Sequence, residues 1–156
     1  MKINIPRAIV AGLAATAVFD LVGFALTGTF WDIPQLLSSK FFEGAGLVPG
    51  VLAHYANGVL LAMIYAGLAP SLKGNRWARA TTFVVAETIF GVYLFMLPLL
   101  GAGPFGIHMG VAFPIIVLVR HLAYGGILAA IYPAHLQLGI ESPDRVESNQ
   151  QSSQAA

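Results

Sequence analysis

Four apolar runs, each of about 20 residues or more, leave this chain few ways to fold, because each is long enough to cross the hydrocarbon layer of a membrane. They extend from about Ala8 to Phe30, Val48 to Leu68, Ala78 to Leu100 and Val111 to Leu136. Backbone groups in lipid must satisfy one another, so such spans are expected to be helices. The rest of the composition agrees. Charged residues are 10% of the 156-residue chain and mean hydropathy is +0.76, whereas a soluble domain carries about 25% charged residues. The sequence predicts an all-α, four-helix transmembrane bundle occupying residues 1–140, followed by a disordered polar cytoplasmic tail over 141–156, which is rich in Ser and Gln.

Basic residues predict the orientation. Lys2 and Arg7 precede the first span, and Lys73, Arg76 and Arg79 lie at the connection between the second and third. The connection before the second span carries only Lys40, and 101–110 carries no Lys or Arg. The positive-inside rule then puts both termini in the cytoplasm, with Trp31 and Trp77 at interfaces. Lys2 and Arg7 before an apolar run also suit a signal peptide. That run is too long and contains Asp20, so it is expected to be retained as a span.

The first long connection predicts a short interfacial helix. Asp32 suits its N-cap, Pro34 its first turn, and Gln35 the matching position of a capping box. Leu36, Leu37, Phe41 and Phe42 would face the membrane, with Ser38, Ser39, Lys40 and Glu43 on the polar side. Gly44, Gly46, Pro49 and Gly50 would end it.

The chain also resembles itself. His54, Ala56, Gly58, Leu61, Ala62, Ile64 and Tyr65 of the second span coincide in one register with His121, Ala123, Gly125, Leu128, Ala129, Ile131 and Tyr132 of the fourth. The same register places Asp20 on Glu87. Two parallel helical-hairpin repeats, related by an axis along the membrane normal, are the expected consequence. The two His would then lie level, and so would the two acids. The fourth span would open with an extra or re-entrant turn around Pro104 and Pro114.

With these residues in view, the chain resembles a family of uncharacterised four-span bacterial inner-membrane proteins. The resemblance rests on Ala11-Gly12-Leu13-Ala14-Ala15-Thr16, His54 with Gly58, the stretch Met96 to Gly106, Pro114, and His121-Leu122-Ala123-Tyr124-Gly125. It covers roughly Ala8 to Tyr132. It implies a fold and an inner-membrane location, and no activity.

Three charged positions lie deep inside the spans: Asp20, Glu87 and Arg120. Charge at mid-membrane costs about 2.5–3.5 kcal/mol on insertion scales, so such groups turn inward and pair. At about 1.5 Å per residue, Asp20 lies roughly 20 Å from Arg7, Glu87 roughly 15 Å from Trp77 and Arg120 roughly 24 Å from Leu136. Asp20 is therefore the expected partner of Arg120, as an ion pair or a proton path. Glu87, the surplus acid, is expected to be neutral.

His54 and His121 each have a Gly four residues on, at Gly58 and Gly125. Close helix contact is one reading. The other is a haem b held by both His, with the two Gly giving it room and Arg120 meeting a propionate. A metal site made of the two His, Asp20 and Glu87 is disfavoured, because the acids are expected nearer the cytoplasm than the His. His108 and His135 read as interfacial residues, and Tyr65 and Tyr132 as interface anchors or a shared packing pair. Ala11 with Ala15, and Gly126 with Ala130, suit small-residue helix contacts, within the bundle or with another copy or a larger membrane complex.

The chain has no Cys, which excludes disulfides, iron–sulfur ligation and thiol catalysis. A net charge of +1 leaves no nucleic-acid footprint. No hydrolase or nucleotide-binding motif is present, and no catalytic set is recognised. The expected role is a membrane protein without catalysis, an accessory or structural subunit with a buried polar cluster. A cytochrome using His54 and His121, and a proton or small-ion transporter using Asp20, Glu87 and Arg120, are the alternatives.

Overall fold

The structure is a computed structural model that describes residues 3–132. The polar tail, His135 and the end of the fourth apolar run lie outside those residues. Five principal helices follow one another: α1 (Ile5–Thr27), α2 (Asp32–Phe41), α3 (Val48–Leu68), α4 (Arg76–Leu99) and α5 (Phe113–Ile131). Among the described residues there is no strand. All but α2 are long and apolar enough to cross a membrane. One end of the bundle carries Arg7, Arg76 and Arg79 and is called the basic end. The other carries α2 and the α4–α5 connection and is called the far end.

Polar caps set the helix starts that hydropathy places loosely. The side chain of Asn4 accepts the Arg7 N–H at 3.1 Å, so α1 begins at Ile5 rather than Ala8. It stops at Gly28, whose φ of 70° suits a residue without a side chain and whose N–H returns to the Phe24 carbonyl at 2.8 Å. The Asn75 side chain caps α4 in the same way, accepting the Ala78 N–H at 3.0 Å. A wide turn inside α4 has no signature in the residue pattern, yet Thr88–Met96 is π-helical, beginning directly after Glu87.

Small residues bring the spans together. Helix α1 packs against α3 and α5, α4 packs against α5, and α2 lies on α3. Ala8, Ala11 and Ala15 of α1 are buried, as are Ala62 and Ala66 of α3 and Ala129 of α5. A Cβ at Gly12 would lie 2.7 Å from the Val59 backbone, which shows how closely α1 and α3 approach. Ala11 and Ala15 thus serve internal packing. Gly126, by contrast, has nothing within 4 Å of a built Cβ.

Three local expectations need correction. The capping box at Asp32 does not form, because Trp31, at φ 63°, occupies the cap position without a side-chain bond and the Asp32 carboxylate is used elsewhere. Ser38 is not on a solvent face. It is buried, and its hydroxyl accepts the Gly50 N–H at 2.9 Å and donates to the Leu47 carbonyl at 3.3 Å, docking α2 on α3. Tyr65 and Tyr132 are not interface anchors: both are buried at the basic end with ring centroids 6.4 Å apart, and Tyr65 also meets Phe83 of α4 at 5.4 Å. The extra turn expected before α5 exists as a 3₁₀ segment, Pro104–Met109, with Phe105 and Gly106 in left-handed conformation. Pro114 sits within the first turn of α5 itself.

Candidate functional site

A connected polar network fills the half of the bundle nearer the far end. Its hub is Arg120 on α5, whose side chain is 3% exposed. Arg120 is seven residues from Phe113, roughly 10 Å into the helix, so its long side chain reaches the far end while its stem stays buried. There it donates to Asp32 from both terminal nitrogens, Nη1 to Oδ2 at 2.6 Å and Nη2 to Oδ1 at 3.0 Å. The same Asp32 Oδ1 accepts the Ile33 N–H at 2.8 Å. In the sequence alone Asp32 reads as a helix cap only. The depth of Arg120 counted from the far end, rather than from Leu136, is the signal that points to it.

Asp20 on α1 is the second acid of the hub. Its Oδ1 lies 3.6 Å from Arg120 Nη2 and 3.0 Å from His54 Nε2 on α3. The expected pairing of Asp20 with Arg120 is thus present, as the longer of two Arg120 contacts. Gly23, one turn on from Asp20, makes room for the guanidinium: a Cβ there would collide with Arg120 Cζ. Asp20 Oδ2 and Arg120 Nε are both buried without a hydrogen-bond partner in the protein. Asp20 and Asp32 thus set two carboxyl groups about the one guanidinium of Arg120, with the His54 imidazole against Asp20.

A second pair lies across the bundle. His121 Nε2 on α5 is 3.5 Å from Glu87 Oε2 on α4. His121 Nδ1 is 2.7 Å from the Val117 carbonyl, which only accepts, so Nδ1 carries a hydrogen and Nε2 offers a lone pair when the ring is neutral. Each His therefore meets an acid at its own depth. This corrects the expectation that the acids lie nearer the cytoplasm than the His.

Phe19, which sequence reasoning passed over, joins the two pairs. Its ring centroid is 5.6 Å from that of His54 and 5.0 Å from that of His121, and Arg120 Cζ stands 4.2 Å from the ring centre. Cation–π contact of this kind contributes about 0.5–2 kcal/mol depending on desolvation. Tyr124 donates from its hydroxyl to the Gly58 carbonyl at 2.5 Å, linking α5 to α3. Between these groups lies a cavity of about 40 Å³ lined by His54 and Asn57 of α3, His121 and Tyr124 of α5, and Thr16 and Phe19 of α1, among others.

A haem held by both His does not fit this arrangement. Both Nε2 atoms face carboxylates, the Phe19 ring packs against both imidazoles, and the cavity of about 40 Å³ is far smaller than the roughly 300–1,000 Å³ of small-molecule sites. The room expected beside the two Gly is already taken. A Cβ on Gly58 would strike Thr16 of α1, and one on Gly125 would come within 2.9 Å of Val84 of α4. Arg120 meets Asp32 where a propionate was expected. Among the described residues no three His, Asp or Glu side chains converge as a metal site. His108 stays in the far-end connection, with Nδ1 3.3 Å from the Gly101 carbonyl.

No protein-family model, no curated protein and no solved structure matches the chain.

Proposed function

We propose that this chain is a multi-pass membrane protein without catalysis, an accessory or structural subunit whose charged network holds the bundle and its far-end helix in one arrangement. The observation that carries the reading is the mutual pairing of the ionisable groups inside the spans. Arg120 meets Asp32 and Asp20, Asp20 meets His54, and Glu87 meets His121. Groups engaged in this way fix register and helix rotation. Extraction of the tagged chain into native lipid particles tests the role: a stoichiometric companion protein, or a second copy, supports a subunit, and recovery of the lone chain in every lipid counts against it.

The basic end belongs in the cytoplasm on this reading, in the inner membrane of a bacterium, and the chain belongs with the four-span family it resembles. With no native Cys, orientation is directly measurable. Ser39→Cys should react with a membrane-impermeant maleimide in intact cells and Ser71→Cys should not; the reverse pattern inverts the topology.

The bundle further reads as two hairpin repeats, α1–α3 and α4–α5. The two acid–His pairs support this, since Asp20 to Glu87 and His54 to His121 are each 67 positions apart. So do the repeat-matched glycines, Gly58 seated on α1 and Gly125 on α4. Arg120 matches Ala53 in that register, so the Arg120–Asp32 contact would be an addition to one unit.

A second reading is a proton or small-ion path. The presence of two acid–His pairs beside one cavity favours it. Proton flux into liposomes that falls in Asp20→Asn and Arg120→Ala would establish this path, whereas flux equal to that of empty liposomes would remove it.

A further inference from the structure

We propose that the cavity beside Phe19 is a water-binding site lying between His54 and His121 at the centre of the bundle. A water needs about 10–15 Å³ of such space and two to four polar partners. The cavity, at about 40 Å³, therefore has room for at least one.

The lining supplies partners with the right polarity. His121 has committed Nδ1 to the Val117 carbonyl and holds Nε2 3.5 Å from Glu87 Oε2, so it lines the site with its ring. His54 uses Nε2 toward Asp20 and keeps its other ring nitrogen for a further bond. The Thr16 and Tyr124 hydroxyls spend their hydrogens on the Gly12 carbonyl, at 2.8 Å, and the Gly58 carbonyl, which leaves their oxygens as acceptors. Water, with two donors and two acceptors, complements these two hydroxyl oxygens and the second ring nitrogen of His54; an apolar occupant would strand them.

The wall is closed on most sides. Thr16, His54, Gly58, His121 and Tyr124 are buried, Leu61 is half-buried, and Asn57 is exposed. The amide of Asn57 thus stands at the mouth of the cavity. A wet cavity need not conduct, so this site and the proton-path reading can fail separately.

The test uses the full chain in lipid bilayers with ¹⁵N-labelled His and with His108→Asn and His135→Asn, so that only the two cavity imidazoles report. Water-edited solid-state NMR should show magnetisation passing from water to ring nitrogens of both His54 and His121. Absence of that transfer in this chain overturns the proposal. Asn57→Phe, which plugs the mouth, should abolish both signals. Ala56→Phe, on an exposed neighbouring position outside the cavity, should leave them, and retention of both in Asn57→Phe also overturns the site. Liposome flux measured on the same samples separates this result from transport.

Discussion

Replacing Arg120 by Leu should be the most damaging single change in the bundle. It removes the cation that faces two carboxylates of unequal burial. Asp20 is 1% exposed in its side chain and retains only His54 and the Tyr55 hydroxyl as polar neighbours, while Asp32 is 28% exposed and recovers some hydration. Breaking a buried pair by deleting one partner costs about 3–5 kcal/mol, and Asp20 supplies most of that here. The loss of Arg120 from above the Phe19 ring adds to it. Asp32→Asn should cost only about 1–2 kcal/mol, because Asp32 is partly screened, Arg120 keeps Asp20, and an amide oxygen still accepts one bond. The double variant should cost about 1 kcal/mol less than the sum, since the Arg120–Asp32 contact can be lost only once. Denaturant titration in bicelles, followed by tryptophan fluorescence, measures all three. A Trp77→Phe background leaves Trp31, which adjoins Asp32 and lies 6.3 Å from the Tyr55 ring. A cost below about 1 kcal/mol for Arg120→Leu, or strict additivity in the double variant, would refute the hub.

Gly58→Ala should destabilise by about 1–3 kcal/mol, because its Cβ meets Thr16 on a neighbouring helix. Gly126→Ala, with nothing within 4 Å of the new atom, should stay within about 0.5 kcal/mol in the same titration. Ser38→Ala strands the Gly50 N–H and should cost about 1–3 kcal/mol, with faster hydrogen exchange over residues 32–50; unchanged exchange there would mean that α2 docks by other contacts. Protein from haem-supplemented cells should show no Soret band, and a band lost in His54→Ala would restore the cytochrome reading.

The spans were legible because hydropathy is a local sum over about 20 residues and lipid admits few alternatives to a helix. Val48–Leu68 of α3 agrees residue for residue, and the other described helix ends differ from expectation by a few residues where Asn4, Gly28 and Asn75 act as caps. The need for Asp20 and Arg120 to pair was also readable, from the cost of charge in lipid. Which partner each side chain takes was not. Asp32 and Arg120 are 88 residues apart, and their meeting depends on how α2 folds back over α3 and how α5 is rotated about its axis. Phe19, an ordinary apolar residue in the sequence, becomes the ring that both imidazoles touch only once α1, α3 and α5 pack together. Composition and periodicity thus dictated helices in lipid and the pressure on their charges to turn inward. Helix rotation and loop placement, which sum over contacts distant in the chain, selected the partners.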